Sequence, residues 1–81
     1  MKLKDTVPMM ESADCKERFK AEYFQLEIRV NALRNMLKKY KNGTLTFNPS
    51  CSYDLLNGQL KAMELYVTYL EERAEIYGID L

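Results

Sequence analysis

Between Ala13 and Lys41 the chain alternates apolar and polar residues with a helical rhythm. Phe19, Tyr23, Leu26, Val30, Leu33, Leu37 and Tyr40 follow one another in steps of four, three, four, three, four and three. This unbroken a/d seam predicts an amphipathic helix over residues 13–41. At roughly 1.5 Å per residue it runs about 43 Å. No Gly or Pro interrupts it. Ser12 is the expected N-cap, and Asp14 falls in the first turn, where a carboxylate suits the helix dipole. Asn42-Gly43 supplies a left-handed stop.

Residues 42–50 read as a loop. Pro49 turns Asn48 away from helix, and Leu45 and Phe47 are expected to plug the tip. Ser50 or Ser52 then caps a second helix over residues 51–77, which Gly78 ends. Its seam is Tyr53, Leu56, Leu60, Met63, Val67, Leu70, Ala74 and Tyr77, again in alternating steps of three and four. Two helices of matched length joined by a short loop pack antiparallel at about +20°. Pairing the seams outward from the loop sets Leu37 near Leu56 and Phe19 near Ala74. Residues 1–12 form a short leader whose Met9 and Met10 are expected to dock on a helix. The predicted fold is all-α: one domain, 1–81, built as a long antiparallel two-helix hairpin.

Each helix carries more apolar surface than one seam uses. Ala21, Phe24, Ile28, Ala32 and Met36 make a second face on the first helix. Leu55, Ala62, Leu65, Tyr66, Tyr69 and Ile76 widen the arc of the second well past the roughly 100° a surface helix needs. The leader is too short to cover both faces. Exposed apolar patches of this kind mark interfaces, so the expected state is a homo-oligomeric helical bundle. Gly58 lies inside the second helix, where Gly costs about 1 kcal/mol against Ala, and this points to another helix packing closely there.

Composition narrows the chemistry. A chain of 81 residues buries a marginal core, and small scaffolds often add an oligomeric contact. A formal net charge of zero argues against general nucleic-acid binding. The chain has no His, the commonest general base and metal ligand. Its two cysteines, Cys15 and Cys51, sit at opposite ends of the predicted hairpin and are read as reduced thiols. No Gly-rich phosphate loop and no catalytic constellation stands out. Neither an enzyme nor a cofactor is expected. With no apolar run of membrane-spanning length and no signal-peptide pattern, the expected location is the cytoplasm.

Charge is divided between the helices. Residues 13–41 hold eight basic and four acidic side chains, and residues 51–77 hold two and five. Complementary pairing between helices or subunits is the plain structural reading. The other is an anion-binding strip along Lys20, Arg34 and Lys38. A sharper candidate is the line Gln59, Tyr66 and Arg73, repeating every seven residues beside the second seam. Glu22 and Arg29 hold the matching line on the first helix, with Arg18 one turn earlier. The register sets Glu22 near Arg73 and Arg29 near Tyr66. Either this is a salt bridge with a tyrosine satisfied at the seam edge, or Arg18, Arg29, Gln59, Tyr66 and Arg73 line a ligand pocket. Guanidinium forks bind phosphate, and tyrosine stacks on bases with a polar tip free.

The run Met9-Met10-Glu11-Ser12-Ala13-Asp14, then Arg18-Phe19, Glu22-Tyr23 and Gln25-Leu26, followed by Gln59-Leu60, Met63, Tyr66, Leu70, Arg73 and the ending Glu75–Leu81, resembles a group of small phage and prophage accessory proteins. That group is defined by similarity to a protein of a crAss-like phage. The resemblance implies a protein acting in an infected or lysogenic bacterium, where products of this size often counter host defence. One implied function is a sponge that withholds a cyclic or ADP-ribose-type nucleotide signal in interfacial pockets of an oligomer. The alternative is a non-enzymatic adaptor that lays a helix face on a host or phage protein.

Overall fold

The computed structural model describes residues 1–81. Its elements are a 3-10 turn at Leu3–Thr6, then α1 (Val7–Met10), α2 (Cys15–Asn42) and α3 (Tyr53–Tyr77), with no strand. α2 and α3 form the hairpin, and the molecule measures 43 × 24 × 17 Å. Both seams turn inward. Phe19, Tyr23, Leu26, Val30 and Leu37 of α2 pack with Leu60, Leu70 and Ala74 of α3 in one core cluster. The Tyr40 and Tyr53 rings meet edge to face at 5.6 Å near the loop end, in the register expected from the seams. No helix is long and apolar enough to cross a membrane.

The helix ends follow from side-chain chemistry, with one correction. The N-cap of α2 is Asp14, not Ser12: the Asp14 carboxylate accepts from the Lys16 amide at 2.9 Å. The Ser12 hydroxyl instead accepts from the Asp14 amide at 3.1 Å, so it braces the cap from outside the helix. Ser52 caps α3 by accepting from the Leu55 amide at 3.2 Å. Gly43 and Gly78 end their helices at φ 73° and 68°, a conformation that suits a residue without Cβ. At the loop, Leu45 is half-buried, but Phe47 is 55% exposed and does not plug the tip. Both cysteines are free and exposed.

The leader is helical rather than extended, and its anchor is a polar residue. Thr6 is fully buried. Its hydroxyl donates to the Leu3 carbonyl at 2.6 Å and accepts from the Gln25 amide nitrogen at 2.9 Å. Met9 is half-buried, whereas Met10 is 50% exposed and does not dock. The leader packs on α2 and not on α3. Ala21 is buried beneath it, Phe24 and Ile28 are half-buried, and Met1 shares a shallow groove with Phe24 and Ile28. The N-terminal half of α2's surplus face is thus covered from within the chain. On α3 the surplus face stays bare: Leu55, Leu65, Tyr69 and Ile76 are 63%, 56%, 57% and 81% exposed. No helix of this chain approaches Gly58, since a Cβ built there would meet nothing within 4 Å.

Candidate functional site

The hairpin's open end brings the first turns of α2 beside the last turns of α3. There the a/d seams run out, and aromatic rings close the core in place of aliphatic chains. Phe19 and Tyr77 pack edge to face with centroids 5.6 Å apart. Phe19 is buried while Tyr77 is about half exposed, so the pair forms a wall with one wet side. Arg73, one turn before Tyr77, lays its guanidinium over both rings, 5.0 Å from the Phe19 centroid and 5.4 Å from that of Tyr77. Its Nε donates to the Tyr77 hydroxyl at 3.2 Å. This fixes the planar fork and leaves its remaining N–H donors free to face solvent.

A cleft of about 560 Å³ opens against this wall, lined by Cys15, Lys16, Arg18, Phe19, Glu22, Arg73, Tyr77 and Ile79. Lys16 and Arg18 come from the first turn of α2, whose start is set by the Asp14 cap. Arg18 is tied back by one nitrogen, which donates to the Ser12 carbonyl at 2.7 Å. Ile79 closes the floor. Its amide reaches back to the Ala74 carbonyl at 2.9 Å, past the left-handed Gly78, and its side chain returns to the core. Three cations thus face one carboxylate, Glu22, which is already committed: it accepts the Tyr66 hydroxyl from α3. That hydrogen bond raises the Tyr66 pKa, burial adds to the rise, and Arg73 opposes it. The Tyr77 hydrogen bond pushes the Arg73 pKa up, the direction that favours the charge an arginine carries in any case.

The five candidate residues are therefore split. Arg18 and Arg73 meet in the cleft. Tyr66 lies next to it, held by cleft-lining Glu22. Gln59 is exposed farther toward the loop, its amide 3.8 Å from the Met63 sulfur. Arg29 is exposed on α2 and lines none of this cleft. The expected Glu22–Arg73 bridge does not form, because each partner finds a tyrosine hydroxyl instead. The basic strip is partly neutralised: Arg34 pairs with Glu64 at 3.1 Å and Lys20 with Glu17 at 3.7 Å. The pattern did not single out Phe19 and Tyr77 as site residues, because their spacing assigns them to the core seam. The available signal was the Arg73–Tyr77 pair at i, i+4, which places a cation on a ring at a helix end.

In chemical terms the cleft offers fixed guanidinium donors, a second arginine and a lysine for phosphate, and an aromatic wall for a flat ring. Its volume is in the range of small-molecule sites. A family model described as Sequestin matches residues 13–76, from just before the α2 cap to the last turn of α3. No curated protein and no solved structure matches the chain.

Proposed function

This chain belongs to the Sequestin family, and from that premise we propose that it is a sponge: it binds a small anionic nucleotide signal and withholds it without turning it over. The family name is consistent with sequestration. The observation that carries the nucleotide reading is Arg73, clamped over the Phe19–Tyr77 rings beside Arg18 and Lys16. Phosphate oxygens would take the free guanidinium donors, and a base or ribose would lie against the rings. The resemblance to phage accessory proteins gives this activity a setting, interference with nucleotide-based defence in the cytoplasm of an infected bacterium. The ligand class is a cyclic or ADP-ribose-type nucleotide.

The test is a thermal-shift and calorimetric panel of such nucleotides. A ligand held at a hundred times its dissociation constant adds about 2.7 kcal/mol of stability. Arg73→Ala and Arg18→Ala should each weaken binding by about ten- to a hundredfold, the worth of one charge-assisted phosphate contact. Arg29→Ala, outside the cleft, should leave affinity unchanged. If no nucleotide shifts the melting curve, the sponge reading fails. The bare face of α3 is the observation that favours the second reading, an adaptor for another protein.

A further inference from the structure

The exposed side of α3 has an order of its own. Leu55, Gly58, Ala62, Leu65, Tyr69, Glu72 and Ile76 follow in steps of three and four. At 100° per residue they form a stripe nearly opposite the core seam. This is a second heptad seam spanning about 32 Å of helix. It holds four large exposed apolar side chains, two small residues and one carboxylate. Within the chain nothing covers it, and Gly58 faces open space.

We propose that this stripe joins two copies of the chain, α3 against α3, antiparallel about a two-fold axis near Ala62–Leu65, so that Gln59 of the second copy completes the cleft around Arg73. The composition of the stripe selects both occupant and direction. A parallel pair would set Gly58 on Gly58, Ala62 on Ala62 and Glu72 on Glu72, leaving gaps at one end and like charges in contact at the other. The antiparallel pair lays Gly58 against Tyr69 of the second copy and Ala62 against its Leu65, small against large through the central layers, with Leu55 against Glu72 at either end. It also carries Glu72 and Glu75 to the N-terminal end of the second copy's α3, where the helix dipole favours carboxylates. At the other edge the two Lys61 approach each other across the axis, and each has its own Glu64 at 3.7 Å to offset the like charge. The layers are those of the hairpin itself, in which a positions of one helix meet d positions of the other.

The hairpin also calibrates the edge of such a seam. Its seam pairs follow the Tyr40–Tyr53 register, and the flanking contact Tyr66–Glu22 is displaced from that register by a little over one turn. The same displacement on the α3 pair sets Tyr66 beside Tyr66 at the axis and Gln59 beside Arg73 of the other copy. The line Gln59–Tyr66–Arg73 is thus self-complementary under this two-fold. Each dimer carries two clefts, and an amide from the facing chain stands at the edge of each guanidinium. Reading a ligand edge with that amide rests on the sponge proposal, but the placement of Gln59 does not.

The experiment uses full-length chains with Cys15→Ser and Cys51→Ser, and no nucleotide. Ala62→Cys co-expressed with Leu65→Cys should form a disulfide-linked heterodimer on oxidation, whereas Leu55→Cys alone should not cross-link. A short bismaleimide should bridge Gln59→Cys to Arg73→Cys between chains. Leu65→Glu should halve the mass seen by light scattering while circular dichroism stays unchanged. Cross-linking of Leu55→Cys to itself would overturn the antiparallel arrangement. A 9.5 kDa particle from the unmodified chain at micromolar concentration would overturn the pairing altogether. Failure of the Gln59–Arg73 bridge with the other links intact would remove Gln59 from the cleft. These outcomes are independent of whether any nucleotide binds.

Discussion

The outer faces of α2 and α3 start from the same surplus and end differently. Both helices spend one stripe on the shared core and have apolar residues left on the far side. On α2 the leader folds back over Ala21, Phe24 and Ile28, held by the buried Thr6–Gln25 hydrogen bond. On α3 the stripe from Leu55 to Ile76 has no such cover. A covered face needs only a local segment and one satisfied polar anchor, because an orphaned buried amide or hydroxyl costs about 1 to 3 kcal/mol. A bare face of regular heptad spacing contributes little to the stability of the single chain and is the face on which the proposed pairing rests. Stability is thus local to the hairpin and leader, whereas the proposed association would draw on α3.

The largest expected effect comes from the seam that both faces depend on. Leu70 is fully buried at the centre of the core cluster. Leu70→Ala should cost about 2 to 5 kcal/mol, through lost burial plus the cavity left behind. In so small a domain that is a large share of the total. Urea denaturation followed by circular dichroism measures it. A loss below about 1 kcal/mol would mean that the hairpin is not held by this seam.

A matched pair of substitutions tests the comparison directly. Phe24→Ser removes a half-buried ring packed against the core beneath the leader. It should cost about 1.5 to 3 kcal/mol, the range for burying a large apolar side chain. Leu65→Ser, on the bare face, should stay within about 0.5 kcal/mol in a solution dilute enough to hold monomers. At high concentration the same change should lower the melting temperature, because it weakens association and mass action then matters. Ile28 shares its groove with Met1 of the leader, so Ile28→Glu is expected to lift the leader. Equal costs for Phe24→Ser and Leu65→Ser at every concentration would erase the distinction between the two faces.

Much of this was readable from spacing alone. The seams, a serine cap at 50 or 52, both left-handed glycines and the Tyr40–Tyr53 register follow from period and punctuation, which are local properties; the structure picks Ser52. What spacing missed lies where the period stops. Ser12 and Asp14 are both good caps two residues apart, and what decides between them is that the Asp14 carboxylate accepts from the Lys16 amide while the Ser12 hydroxyl accepts only from the Asp14 amide. The leader has too few residues to show a period, and the residue that anchors it, Thr6, is polar. The cleft forms because Phe19 and Tyr77 end their seams side by side, and seam position alone marks them as core. Arg73 was legible as a cation at the seam edge, but its partner was not, since Glu22 and Tyr77 are both within a turn or so and geometry chose the ring.

The smallest effect concerns two tyrosines held by carboxylates, one on each side of the comparison. Tyr23 is buried in the α2 seam and donates to Glu27 on its own helix at 2.9 Å. Burial first, and then that hydrogen bond, push its pKa from 10.0 up to about 12. Tyr66, on exposed α3, donates across the hairpin to Glu22, and its pKa is raised chiefly by that hydrogen bond. A raised phenol pKa means that the fold favours the protonated form. Below the unfolded value, near 10, both states hold the proton and the stability is fully present. As pH climbs from about 10 toward 12, the unfolded chain releases the proton while the folded chain keeps it, so stability falls. Stability should therefore be flat through neutral pH and decline in that alkaline window. Tyr23→Phe should remove part of the decline, measured as the difference between urea midpoints at pH 9 and pH 11.5. Tyr66→Phe should remove less, because its hydroxyl is more exposed and solvent screens the pair. A larger alkaline change for Tyr66→Phe than for Tyr23→Phe would show that the cross-hairpin Tyr66–Glu22 contact holds the helices together more firmly than its exposure suggests.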